Sequence, residues 1–301
     1  MSLFDAILVQ PIFNVLVFIY GIIPGHDFGI ALILFTILIR IALWPLVRKQ
    51  LHQTKLMRKI QPELARIKKR SNGNKQLEAQ LMMELYRERG VNPFSSIGIL
   101  ILQLPIFIAL YAVVRLITEN DANIPKYTYT FLENIPFIKN LFDNPHSFNE
   151  SLLGMVDLSR LAIENGSAIY WPLLILAAIA GGLQFYQSKQ LLPQAKESRK
   201  LRDMLKDQAS GKQIDQSEMT AAMSGRMVYL FPALTFFISI YLAGALVLYL
   251  AVTSAVAIIQ QASVLREDTE DMEKLSEKTV KKSKKAKEAE IVEAPKKATK
   301  K

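Results

Sequence analysis

The sequence predicts an all-α polytopic membrane protein with a five-helix transmembrane core, a cytoplasmic helical hairpin and an N-terminal interfacial helix. Three observations point there. Half of the 301 residues are hydrophobic, and they fall in blocks of about 20, the length of a membrane-crossing helix. The charge of +10 is unevenly spread: segment 48–95 holds 12 Lys/Arg against 4 Asp/Glu, net +8, and segment 118–167 holds 3 against 7, net −4. One arginine, Arg40, sits inside the otherwise apolar stretch 28–47. By the positive-inside rule, 48–95 is cytoplasmic and 118–167 lies outside.

Residues 1–27 come first. Positions 3–23 are apolar but interrupted by Gln10, Pro11 and Asn14. No basic segment precedes them and no small-residue cleavage site follows, so a secretory signal is not expected. They read either as a short span or as a helix lying in the outer interface, and the second reading is favoured. The turn Pro24-Gly25-His26-Asp27 leads into the first span, 28–47.

Segment 48–91 changes character. Met57, Ile60, Leu64 and Ile67 repeat at 3-4-3 spacing, and Leu77, Leu81 and Leu85 at four, on either side of a Ser71-Asn72-Gly73-Asn74 turn. This predicts a helical hairpin with one apolar seam and a basic outer surface carrying Lys55, Arg58, Lys59, Lys68, Lys69 and Arg70. Such a surface is either a solvated connector or a platform for an anionic partner, ribosomal RNA or lipid headgroups.

Asn92-Pro93 suits a helix start and opens the second span, 96–117, which holds Gln103 and the kinking Pro105. The external loop 118–167 is polar with two short apolar pieces. The third span, 168–187, begins at the interfacial aromatics Tyr170 and Trp171, and its Gly181 and Gly182 read as helix-packing positions. Loop 188–222 is polar. Spans four and five, 223–241 and 244–262, are separated by two residues and form an antiparallel pair. The tail 266–301, with Lys281, Lys282, Lys284 and Lys285, is disordered by composition and basic enough to face an anionic partner. The core therefore covers 28–265.

Arg40 is the residue to explain. A guanidinium keeps its charge at any relevant pH, and near mid-membrane it costs roughly 2.5–3.5 kcal/mol. Thr36 shares its helix face. Gln103, Gln184, Thr253, Ser254 and Gln260 add polar groups on other spans, and no acidic residue lies in any of the five. Polar residues in spans face the bundle interior or a wet cavity, so the spans are expected to enclose a partly hydrated groove with Arg40 as its fixed charge, available to an external anion. The bland alternative is an arginine that snorkels about 10 Å to the cytoplasmic edge. Trp44 and Pro45, below Arg40, favour an interface deeper than Arg40.

The residues also carry a resemblance. QPIFNVLVFIYGI at 10–22, LFTILIRIALWPLVRKQ at 34–50, MMELYRERGVNPFSSIGILILQLPIFIALY at 82–111, YWPLLILAAIAGGLQFYQSK at 170–189 and GALVLYLAVTSAVAIIQQ at 244–261 resemble the YidC-type membrane protein insertases, relatives of the mitochondrial Oxa and chloroplast Albino insertases. The match runs in order over roughly 10–265. It implies a five-span core with a groove open to cytoplasm and lipid but closed outside, a preceding interfacial helix, and a bacterial plasma-membrane location with the N-terminus outside and hairpin and tail inside. It also implies an insertase and folding chaperone for small membrane proteins, working without nucleotide hydrolysis, in which Arg40 attracts acidic groups of a crossing segment. Thr36 matches a polar groove position. Tyr249 matches the first of a tyrosine pair whose second member is Leu250 here, which removes support for a substrate contact at that position. The large external domain of Gram-negative members and the lipid-bearing cysteine of many Gram-positive ones are missing from this sequence.

Gln103, Gln184 and Tyr249 complete the expected groove set. The expected partners are nascent membrane proteins, the lipid bilayer, a translating ribosome and, as a candidate co-worker, a Sec-type translocon, with no DNA. Neither a phosphate-binding loop nor an acid/base pair suited to hydrolysis is evident, and the scattered His26, His52 and His146 make no metal cluster, so no catalysis and no cofactor is expected. An anion channel or secondary transporter is the competing function, since an intramembrane arginine often marks an ion path. The five spans show no internal repeat to favour it.

Overall fold

A computed structural model describes residues 2–92, 95–119, 124–143, 148–164, 168–191, 216–264 and 266, without the side chains of 95–102, 119, 141, 191 and 216–227. The fold is all-α apart from two small β-hairpins. A π-helical turn, Asp5–Val9, runs into α1, Gln10–Ile22. Then come α2, Phe28–Ala42, α3, Trp44–Ser71, α4, Lys75–Arg89, and α5, Ser95–Glu119. Helices α9, Trp171–Leu191, α10, Gln216–Ser239, and α11, Gly244–Val264, complete the bundle. By length and composition two described helices, Asp5–Ile22 and Gly244–Val264, are long and apolar enough to cross a membrane, and the bent pair α2/α3 makes a third.

That bend corrects the first expected span. Residues 28–47 do not form one straight helix: α2 stops at Ala42, and α3 starts at Trp44 at 63° to it. The cause is Pro45 in the first turn of α3, which has no N–H to donate and whose ring clashes with the preceding turn. At 1.5 Å per residue α2 is about 22 Å long. Arg40 therefore lies in its last turn rather than near its middle, where the carbonyl end of the helix favours a cation.

Other boundaries shift for local reasons. Helix α9 begins at Trp171, with Pro172 in its first turn, because Ala168 and Ile169 are extended and pair with Ile163 and Glu164. Helix α10 reaches back to Gln216, into the segment expected as loop, through the helix-forming run Glu218-Met219 and Ala221-Ala222-Met223. In the hairpin, Met57, Ile60, Leu64 and Ile67 pack with Leu85, Tyr86 and Val91, whereas Leu77 is exposed. Asn72 and Gly73 take the left-handed turn, and Asn74 caps α4 by accepting from the Gln76 and Leu77 N–H groups.

The segment between α5 and α9 is a built cap. It contains α6, Ile124–Tyr127, α7, Thr130–Glu133, and α8, Pro136–Asp143, followed by the hairpins β1, Ser151–Leu152, with β2, Val156–Asp157, and β3, Ile163–Glu164, with β4, Ala168–Ile169. Asn14, read from sequence as an interruption, is its anchor. Its amide donates to the Tyr127 carbonyl at 2.7 Å and accepts from the Tyr129 N–H at 2.7 Å. Asp27 caps α2 at Ile30 N–H and also accepts from Leu153 N–H. Tyr20 stacks on Phe148 and accepts from Asn149 N–H.

The cap closes on the helix ends at close range. A Cβ on Gly29 would lie 2.9 Å from Leu152 Cα, and one on Gly244 3.0 Å from Leu158 Cα, so only glycine admits these approaches. Carbonyls of Arg160 and Leu158 accept from the Gly244 and Ala245 N–H groups, satisfying donors at the start of α11.

Candidate functional site

The polar side chains of the spans converge on α11. Tyr249, Thr253 and Gln260 lie four and seven residues apart, on one helical face. Ser254 and Gln261, seven apart, occupy a second face roughly 140° from Tyr249. Each face meets different helices.

Arg40 is buried, with 9% of its surface exposed. Its Nη1 donates to Gln260 Oε1 at 3.4 Å, and Gln260 Nε2 donates back to the Arg40 carbonyl at 3.1 Å. No carboxylate pairs with it among the described residues. Burial against Gln260 is not the geometry of a side chain that snorkels into solvent. Thr36, one turn earlier and 1% exposed, donates to the Leu32 carbonyl at 2.6 Å, leaving its hydroxyl oxygen free to accept.

Tyr249, 2% exposed, accepts from Gln103 Nε2 at 2.5 Å, and the Phe107 ring lies 6.4 Å from its own. Gln103 and Tyr249 thus join α5 to α11, and Arg40 and Gln260 join α2 to the same face of α11. Gln184 stands apart: it accepts from Ser254 Oγ at 2.9 Å, on the second face of α11, where Ala177, Ala180, Val247 and Ala251 pack α9 closely on α11. Gln260, counted in the sequence only among the polar groups of the spans, is the residue that holds Arg40. Its spacing from Tyr249 and Thr253 is the signal for that role.

The basic residues of the hairpin divide as well. Lys59, Lys69 and Arg70 are exposed, and Lys68 is half-buried with a partner of its own. Arg58 turns inward instead: its Nη2 donates to the Gln190 carbonyl at 2.6 Å, docking α3 on the last turn of α9. Burial lowers the Arg58 pKa, but a guanidinium stays charged. Lys55 and Arg58 line a cleft with Thr54, Gln190 and Gln261. Lys281, Lys282, Lys284 and Lys285 lie outside the described residues, as do residues 192–215 of the loop between α9 and α10.

The known proteins that this chain is similar to agree with one another. The 60Kd inner membrane protein family matches residues 18–274. A "Membrane protein insertase YidC" of Fusobacterium nucleatum is 30% identical over 241 residues, covering 80% of this chain and 87% of the relative. One of Tolumonas auensis is 26% identical over 258 residues, 86% of this chain, and one of Shewanella pealeana is 42% identical over 104 residues, 35% of this chain. The matches span only 36% and 19% of the length of those last two relatives. The family extends over most of the sequence and all of the site just described: the chain belongs to the 60Kd inner membrane protein family, that of YidC and Oxa, and is a polytopic protein of the bacterial inner membrane.

Proposed function

We propose that the chain is a membrane protein insertase that takes small membrane proteins through a hydrated groove centred on Arg40, without nucleotide hydrolysis. The observation that carries this reading is a buried guanidinium held by a neutral amide, Gln260, and by no carboxylate among the described residues. A cation so placed keeps most of its attraction for an entering anion, and that attraction is stronger away from bulk water. An acidic segment of a substrate loses less hydration there than in hydrocarbon. Once it has crossed, the substrate's apolar helix leaves for the lipid, where burial at about 25 cal/mol per Å2 drives completion.

The charge distribution supports an orientation with the capped end outside and the hairpin and tail inside. Five spans, 28–47 in its bent form, 96–117, 168–187, 223–241 and 244–262, with 1–27 as an interfacial helix, fit that orientation. Substrates then enter from the hairpin end and are stopped at the cap until they partition sideways. Thr36, Gln103 and Tyr249 line the path beside Arg40, with Gln184 further round α11. The exposed Lys59, Lys69 and Arg70, with the lysines of the tail, supply a docking surface for a translating ribosome. A Sec-type translocon is a compatible partner for larger substrates.

The test is insertion of a short single-span protein into liposomes holding only the purified chain, read by protease protection. Protection above that of empty liposomes is expected. Background protection together with anion flux in the absence of any substrate would replace the insertase with an ion path.

A further inference from the structure

We propose that the cleft between α3, α9 and α11 binds the phosphate of an anionic phospholipid headgroup. The cleft is lined by Leu51, Thr54, Lys55 and Arg58 of α3, Gln190 of α9, and Gln261 and Val264 of α11, and it opens to the surface. Its closed depth holds one or two water-sized groups, so the oxygens of a ligand enter while the body stays at the mouth.

Three features select the ligand. First, the cleft contains polar atoms that nothing among the described residues satisfies. Gln261 is only 5% exposed, yet its Oε1 has no partner, and Arg58 Nε and Gln190 Oε1 are also buried and unpartnered. An orphaned buried polar group is costly enough that a ligand or water is expected to meet it. Arg58 Nε is a donor, and either glutamine amide can turn its NH2 inward, so the cleft can offer donors to an oxyanion. Second, Lys55 and Arg58 bring two positive charges to the lining, and Arg58 is already positioned by its bond to the Gln190 carbonyl. A guanidinium suits phosphate in particular because its planar fork matches two oxygens.

Third, the surroundings are those of a lipid rather than a soluble anion. Leu51 and Val264 belong to an apolar cluster with Val47, Leu43 and Trp44 at the bend between α2 and α3. Ile41 and Leu46, on either side of that bend, are exposed. A cationic cleft beside exposed apolar side chains and an interfacial tryptophan lies where the chain leaves the hydrocarbon, the level of lipid phosphates.

The full-length protein in detergent would be titrated with phosphatidylglycerol and followed by native mass spectrometry, with phosphatidylcholine as the neutral comparison. Phosphatidylglycerol should bind in preference. Gln261→Leu, which fills the cleft without changing charge, and the pair Lys55→Gln/Arg58→Gln should each weaken its binding about tenfold, the loss expected for charge-assisted hydrogen bonds. The exposed pair Lys126→Gln/Lys139→Gln, on α6 and α8, removes the same charge and should leave binding unchanged. Gln261→Leu binding like the wild type, or Lys126→Gln/Lys139→Gln losing as much as the cleft variants, would overturn the site. Displacement of the lipid by inorganic phosphate at the same concentration would overturn the lipid as its occupant. Thermal melting of each variant separates a lost ligand from a lost fold, and Gln261→Leu decides the matter if Arg58→Gln fails to fold.

Discussion

At the capped end of the bundle, Asn14, Asp27 and Tyr20 each find backbone partners in the segment between α5 and α9, and Gly29 and Gly244 let backbones meet at close range. At the hairpin end, Gln50, Arg58, Gln187, Gln190 and Gln261 keep buried polar atoms that have no partner among the described residues. Each such atom costs about 1–3 kcal/mol unless something outside supplies the bond. Apart from the buried Ser239 hydroxyl, the capped end is satisfied by the protein itself, whereas the other end leaves several polar atoms to water, lipid or substrate. The proposed groove, sealed at one end and receptive at the other, rests on that difference.

The sharpest way to break the comparison is to wedge the finished end open. Gly29→Val places atoms where Leu152 already is and should destabilise by about 3 kcal/mol, read as a fall in melting temperature and as new trypsin cleavage in the cap. Gly182→Ala is its control, since a Cβ there meets nothing within 4 Å, and it should be close to neutral. Asn14→Leu comes next. It leaves the Tyr129 N–H and Tyr127 carbonyl unpaired and should cost about 2 kcal/mol, with faster hydrogen exchange confined to α6 and α7.

Smaller effects belong to the exposed ion pairs. Arg89 and Glu63, at 2.9 Å, join the two hairpin helices, and Glu63→Gln should change hairpin protection by less than about 1 kcal/mol. In the cap, the hydrogen bond from Arg160 holds the Glu164 carboxyl below its ordinary range. A lowered folded-state pKa means the pair contributes fully above the ordinary carboxylate value and is lost as pH falls through the lowered one. Protection of the β3–β4 hairpin should therefore hold from neutral pH down to the ordinary carboxylate range and fade only below it, whereas Glu164→Gln should show no such fade.

Hydropathy and charge were enough to read helix class, the hairpin and its turn from the sequence, and to draw attention to Arg40, which the structure buries. These rest on periodicity and on the cost of burying charge, which are local to a segment. The bend at Pro45 was missed because a 20-residue apolar count ignores a proline near its end. Asn14 looked like a flaw in a span because its partners, Tyr127 and Tyr129, lie more than 110 residues away. Gln260 and Gln261 differ in role only through the face of α11 that each occupies, which becomes visible once the neighbours of α11 are known.

The most direct test of the central claim is a charge cycle in proteoliposomes. Wild type and Arg40→Ala would each insert two substrates, one with an acidic leading segment and one with the acids neutralised. Folding should be little changed in Arg40→Ala, since removing a buried charge offsets the lost Gln260 bond. The account predicts roughly tenfold loss for the acidic substrate, little loss for the neutral one, and substantial recovery with Arg40→Lys. Equal losses for both substrates, or none for either, would contradict the role assigned to the buried charge.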